Sequence, residues 1–287
     1  MSTVWELDFY SRPILDEQQK KIWELLICNT ERTFEYTKCC SGAEANARWL
    51  QTSLKEAIFL GREAGNLQGQ EVPEKIRFFR PQMNNIITRA CAELGIPAQP
   101  SRRTFALCQW LQQRVQTVYP NHPGFQPLTA LPFQFEQQKP QPLPDVLIGQ
   151  GWMFATLEAR AFEEMEQWEI AFGEVFPLSL MNLASEAQIP GLIIFSPRAI
   201  PLAGWMSGLE LAFLKLESCS PVRLLLATGA SDRWIIANLK DPQMVAEAQE
   251  FEAAKQQVQQ VHFLAVQSDP QTESFAGFWL LQETNLS

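Results

Sequence analysis

The hydrophobic period of this chain switches from two to 3.6 and back within its first hundred residues, which restricts that half to a layered α/β arrangement. WELDFYS (5–11) alternates, with Trp5, Leu7 and Phe9 on one face and Glu6, Asp8 and Tyr10 on the other, the pattern of a half-buried strand. Arg12-Pro13 is expected to break it. KKIWELLICN (20–29) and TFEYTKCC (33–40) read as two further strands, completing an antiparallel meander. Over 44–63 the period becomes helical, with Leu50, Leu54, Ala57, Ile58 and Gly61 on one face. KIRFFR (75–80) returns to a strand. Pro81 then suits a first helical position, and Met83, Ile86, Ile87, Ala90, Cys91 and Leu94 form a stripe that Gly95 ends. Pro100-Ser101 opens a third helix with Ser101 as N-cap. Its core face is Phe105, Cys108, Leu111, Val115 and Val118, and Tyr119-Pro120 ends it. The order is βββαβαα.

The chain has 287 residues, enough for two ordinary domains with real cores. Residues 1–120 form the first. Residues 121–145 are rich in Pro and Gln and read as a linker, although Phe125, Leu128, Phe133 and Phe135 offer apolar side chains that dock. Residues 146–287 form a strand-rich second α/β domain. Strands are expected at 146–156, 191–195, 209–217, 222–228, 233–239, 261–267 and 275–282, with a helix over 242–259 and an ambiguous stretch at 157–176. The fold class is therefore α/β, with two mixed-sheet domains.

Charge is distributed unevenly. The net charge is −9, yet residues 75–114 hold Lys75, Arg77, Arg80, Arg89, Arg102, Arg103 and Arg114 against Glu93 alone. At 100° per residue, Arg103, Trp110 and Arg114 share a narrow sector on the solvent side of the third helix. Cations for phosphates, rings for stacking and amides for selection are what single-stranded RNA requires. Arg77, Arg80, Arg102, Arg103 and Arg114 are the candidate phosphate contacts. Trp110 is the candidate stacking ring, with Tyr10 and Phe79 behind it, and Arg12, Asn84 and Asn85 are candidate base readers. The competing reading is a solvated helix face with arginine stems lying over aromatics.

Catalytic constellations are weak. The strand and helix order resembles that of ribonuclease H-like folds, in which acids on the first and fourth strands hold two metals. Asp8 suits the first strand, but KIRFFR carries no acid. Asp16 and Glu24 with Lys20 or Lys21 imitate a nuclease hairpin only faintly. Structural or surface roles for these acids are the main expectation, with a degenerate metal nuclease as the alternative. GWMSGLE (204–210) and ATGASDRWI (227–235) fit no phosphate-loop or dinucleotide pattern. GASD reads as a hairpin turn with Gly229 at positive φ, although Glu210, Asp232 and Arg233 also suit a polar site. Ser207 and Ser231 have no His nearby in sequence, so no serine nucleophile is expected. Six Cys without a C-x-x-C pair and two distant His give no zinc spacing. No cofactor, metal or catalytic residue is expected. No apolar run reaches the length of a membrane span, and the N-terminus runs straight into a strand, so a cytoplasmic protein with reduced thiols is expected.

Several strings point further when taken together: WELDFYSRPILDE (5–17), KKIWELLI (20–27), RFFRPQM (77–83), PSRR (100–103), WLQQRVQTVYP (110–120), WMSGLE (205–210) and GASDRWI (229–235). In this order they resemble the Tab/Atab family of cyanobacterial and chloroplast A/U-rich RNA-binding proteins, along nearly the whole chain. The resemblance implies a non-enzymatic factor that binds single-stranded A/U-rich RNA and supports translation and biogenesis of photosystems I and II. It also implies translation or photosystem assembly proteins as partners, and a cytoplasmic cyanobacterial setting. A protein-binding assembly factor whose RNA contact is incidental remains the other alternative.

Overall fold

A computed structural model describes residues 3–127, 138–144, 149, 151–272 and 274–284. These fall into two compact units, the first up to residue 127 and the second from residue 138. Of the linker's apolar residues, Leu128, Phe133 and Phe135 lie outside the described residues; Phe125 bridges Ile14 of the first unit.

The first unit is built on a five-stranded mixed sheet. Strands β1 (Val4–Leu15), β2 (Lys21–Asn29) and β3 (Glu35–Ser41) are followed by helix α1 (Ala47–Glu63) and β4 (Lys75–Phe78). A 3₁₀ turn (Pro81–Met83) leads into α2 (Asn84–Ala92), and a short β5 (Ala98–Pro100) precedes α3 (Phe105–Thr117). The strand order is β3-β2-β1-β4-β5. β2 runs antiparallel to β1, whereas β4 is parallel to β1 and β5 to β4. Trp5, Leu7, Phe9, Leu25 and Ile27 face α1 and α2, which contribute Leu50, Leu54, Ala57, Ile87 and Cys91 to the same core. Gly61 lets α1 close on the sheet, because a Cβ there would stand 2.8 Å from Trp5 Cζ2.

Three expectations for this half are corrected. β1 does not stop at Arg12-Pro13. It bulges between Ser11 and Leu15 and continues, the Pro13 carbonyl accepting from Gln126 N–H and Leu15 N–H donating to Gly124 O. A bulge tolerates the missing proline N–H. Nor is β1 half-buried: as the central strand it is covered on both faces, and Glu6 and Asp8 are each 1% exposed. Finally, Ser101 does not cap α3. Its hydroxyl accepts from Arg103 N–H in a local turn, β5 runs through Pro100, and the helix begins four residues later, at Phe105.

The second unit contains two sheets. Its strands are β6 (Gln141–Pro142), β7 (Gly151–Glu158), β8 (Ile170–Glu174), β9 (Gln188–Phe195), β10 (Leu211–Glu217), β11 (Val222–Thr228), β12 (Asp232–Leu239), β13 (Val261–Gln267) and β14 (Phe275–Gln282). One sheet is ordered β7-β9-β13-β14-β8, the other β10-β11-β12-β6. Helices α4 (Ala199–Ser207) and α5 (Pro242–Gln257) share one core with both sheets, through Leu202, Met206, Phe251, Leu214, Leu226 and Leu264 among others. The outer edge of β10 is closed by side chains. Leu214 N–H donates to His262 Nε2 (2.8 Å), Leu214 O accepts from Lys255 Nζ (2.6 Å), and Leu216 N–H donates to Glu252 (2.7 Å). An edge satisfied in this way offers no template for pairing.

α4 was absent from the sequence reading, and it carries the first half of GWMSGLE. The ambiguous 157–176 resolves into the end of β7, a 3₁₀ segment (Ala159–Gln167) and β8. The strand expected at 146–156 is described only from Gly151, and 146–148 and 150 lie outside the described residues. GASD is a hairpin turn between β11 and β12, with Gly229 at φ +54°.

Candidate nucleic-acid interface

Asp8 and Glu24 stand on neighbouring central strands, on the sheet face away from α1, and α3 covers that face. A carboxylate shielded from water is unstable unless cations and donors replace its hydration, and here arginines do so. Arg12 bridges both acids, with Nη1 2.8 Å from Asp8 Oδ2 and Nε 2.8 Å from Glu24 Oε2. Asp8 and Arg12 meet because positions four apart in a strand share a face. Arg80, just past β4, places Nε 2.6 Å from Asp8 Oδ1 and Nη2 3.2 Å from Oδ2. Arg114 of α3 reaches Glu24 Oε1, and Tyr119 donates its hydroxyl to Glu24 Oε2 at 2.6 Å. The result is one chain of charges: Arg80, Asp8, Arg12, Glu24, Arg114.

Electrostatics follow from this geometry. Burial by itself would raise the Asp8 carboxyl, but Arg80 and Arg12 outweigh it and hold the group below the usual carboxylate range. Burial raises the Tyr119 phenol, and Glu24 adds to that effect against Arg12, so Tyr119 stays a hydrogen-bond donor. A third acid, Glu6, serves α3 directly: its carboxylate accepts from Leu107 N–H at 2.8 Å. An anion at a helix N-terminus is stabilising, and here it comes from the protein's own central strand.

The basic island is therefore largely internal. Arg77, Arg102, Arg103 and Arg12 are buried, as are Phe79 and Trp110, the last at 5% exposure. This corrects the expected orientation of α3. Trp110 does not lie on the solvent side: it packs between the guanidinium groups of Arg32 (5.9 Å) and Arg114 (5.7 Å), while Val115 and Val118, expected in the core, are exposed. The physical reason is that α3 covers a carboxylate-bearing sheet face: it buries its N-terminal half, Phe105 to Cys108 and Trp110, and beyond that turns Arg114 toward Glu24 rather than Val115 and Val118 into a core.

Arg80 and Tyr10 meet at an accessible rim of this network, and others of the expected site residues are reachable from solvent. Arg80 lies between the Tyr10 ring (4.2 Å) and the Phe79 ring (4.8 Å), and its side chain is 12% exposed. Arg114 is 15% exposed, Tyr10 is half-buried, and Asn84 and Asn85 at the start of α2 are exposed. In the second unit, Glu210 is buried and its carbonyl accepts from Gly229 N–H (2.7 Å). Asp232 is exposed, and Arg233 turns to Glu217 (3.1 Å) and to the Gln138 carbonyl (2.8 Å). Sequence reasoning missed Tyr119, Arg32 and the capping role of Glu6. The available signal was opposite charges four residues apart on one face of a strand, Asp8 and Arg12, which can pair with each other where that face is covered.

Among the described residues no group of three or more His, Cys, Asp or Glu side chains is placed to hold a metal ion, and no helix is long and apolar enough to cross a membrane. Of the acids that a metal nuclease would use, Asp8 and Glu24 are engaged by guanidinium groups, and Asp16 accepts from Gln18 and Lys20 N–H.

Comparison with known proteins matches both halves in order. Residues 4–114 fit the family described as RNA-binding protein Tab2/Atab2 N terminal, and residues 130–282 fit RNA-binding protein Tab2/Atab2, C-terminal domain. The chloroplastic protein TAB2 homolog of Arabidopsis thaliana is 41% identical over 283 residues, covering 96% of this chain and 74% of that protein. Its Zea mays counterpart is 39% identical, covering 96% and 70%. No solved structure matches. Two family models matched in order over most of the chain, and relatives about 40% identical over nearly all of it, place the chain plainly: it belongs to the Tab2/Atab2 family of RNA-binding proteins.

Proposed function

We propose that this protein binds single-stranded A/U-rich RNA and, through it, supports translation and biogenesis of photosystems I and II, working in a cyanobacterial cytoplasm without catalysing a reaction. The observation that carries the reading is the ordered match of both halves to an RNA-binding family, together with chloroplastic relatives at about 40% identity. The domains on this reading are 1–120 and 146–287, joined by 121–145. The first binds RNA. The second, with Glu210, Asp232 and Arg233 near its β11–β12 hairpin, receives translation or assembly proteins.

The rim of the charge network suits unpaired bases. The Tyr10 ring, already fixed against the Arg80 guanidinium, is a rigid stacking platform, and a stacked base contributes about 1–3 kcal/mol. Asn84 and Asn85 present amides that pair with base edges. Arg12, Arg77, Arg102, Arg103 and Trp110 act indirectly, by fixing the shape of this rim. Against the nuclease alternative stands the engagement of Asp8 by two guanidinium groups.

The test is a filter-binding titration with labelled A/U-rich and G/C-rich oligonucleotides. A/U-rich RNA is expected to bind more tightly, and Asn84→Ala with Asn85→Ala to shrink that preference without changing the melting temperature. Equal retention of both RNAs by the unaltered protein would contradict A/U selection. Crosslinking in cells followed by sequencing identifies the messages.

A further inference from the structure

The rim leaves one question open: Arg80 and Arg114 are committed to carboxylates, so which groups take the RNA phosphates? A groove of about 420 Å³ lies between α1 and α2, lined by Asn46, Arg48, Gln51, Arg89 and Glu93 over a floor of Ala47 and Ala90. Arg48 and Arg89 are exposed, and neither guanidinium makes a hydrogen bond or ion pair among the described residues. They differ in this from the buried arginines of the same unit. The α1 N-terminus is not the attraction: Asn46 Oδ1 already accepts from Arg48 N–H (3.0 Å) and Trp49 N–H (3.1 Å). The cationic character comes from side chains on two helices.

We infer that this groove holds the ribose-phosphate backbone of the bound RNA, with Arg48 and Arg89 each pairing a phosphate; the inference rests on the RNA-binding reading above. Three features favour it. A guanidinium matches phosphate with two parallel hydrogen bonds. The lining has amides and alanines but no aromatic ring, so it suits backbone rather than bases. And Asn85 stands four residues before Arg89, on the same face of α2, so a strand whose phosphates lie at Arg89 has its bases directed toward the amides at the start of that helix. Glu93 is the one anion in the lining, and it opposes the same phosphates.

The experiment is a salt titration of RNA binding by the full chain, with A/U-rich and G/C-rich oligonucleotides. Arg48→Ala with Arg89→Ala is expected to weaken both RNAs about tenfold and to flatten the log–log salt slope by about 1.4, from ~0.7 per phosphate on a single strand. The A/U preference stays unchanged, because backbone contacts carry no sequence information. Glu93→Gln is expected to tighten binding about twofold at low salt, with the gain fading as salt rises; a merely structural role would not produce that gain. Both positions are exposed, so melting temperature verifies folding. Unchanged affinity and slope in the double variant would refute the groove while leaving the RNA-binding reading intact. A changed A/U preference would refute the backbone assignment. Failure of the unaltered protein to retain any RNA would overturn both.

Discussion

Arg80 grips Asp8 with two nitrogens, at 2.6 and 3.2 Å, while its guanidinium lies 4.2 Å from the centre of the Tyr10 ring. One side chain thus neutralises a buried acid and stiffens an accessible aromatic. The buried network and the rim are two sides of one construction.

Breaking that pair exposes the cost of burying Asp8. Arg80→Ala leaves the carboxylate to Arg12 alone, and removing one partner of a buried pair destabilises by about 3–5 kcal/mol. The lower end is expected here, because Arg12 remains and Arg80 is partly solvated. Adding Asp8→Asn to Arg80→Ala should recover part of the loss. A urea-denaturation double-mutant cycle measures the coupling; additive losses would dissolve the pair.

Acid should unfold the two units by different groups. Asp8 has a folded pKa below its ordinary 3.8, so its contribution is complete above that value and disappears as pH falls through the folded one. In the second unit the group is His262. Burial, reinforced by Lys255, holds its imidazole well below the ordinary 6.5, so the folded state binds fewer protons than the unfolded and stability declines as pH drops below 6.5. Asp8→Asn should flatten the limb below pH 4, and the His262 imidazole should remain neutral by NMR from pH 8 to 6.

Trp110→Ala should destabilise the first unit rather than merely weaken RNA binding. At 5% exposure between Arg32 and Arg114, the indole is a packing group, and its truncation is expected to cost about 3 kcal/mol, as aromatic deletions do. Circular dichroism in urea reads the shift. A midpoint unchanged from that of the unaltered protein would return Trp110 to the surface.

Glu6→Ala should fray the start of α3. Losing a charged acceptor for Leu107 N–H costs about 1.5–3 kcal/mol, and hydrogen exchange should accelerate at Leu107 and its neighbours while α1 stays protected. Uniform acceleration across the unit would mean that Glu6 supports the whole sheet rather than one helix end.

Much of the architecture was legible because periodicity is local. The strands at 222–228, 261–267 and 275–282 run over the expected residues, and the GASD turn carries Gly229 at positive φ as its composition requires. α4 was hidden because its segment, AIPLAGWMS, is apolar almost throughout and shows no stripe. The basic island was visible as composition, but its direction was not. Arg80 finds Asp8 from 72 residues away, Arg114 finds Glu24 from 90, and Leu107 finds Glu6 from 101.

By itself, then, the sequence determined most of the strands, the first two helices and the surplus of cations in residues 75–114, since each depends on neighbours within a few turns of chain. Only the tertiary structure decided that Arg77, Arg102 and Arg103 are buried and that Arg80 and Arg114 turn to buried carboxylates. β1 is central and covered on both sides, and a covered carboxylate draws the nearest guanidinium groups in space, wherever they lie in the chain.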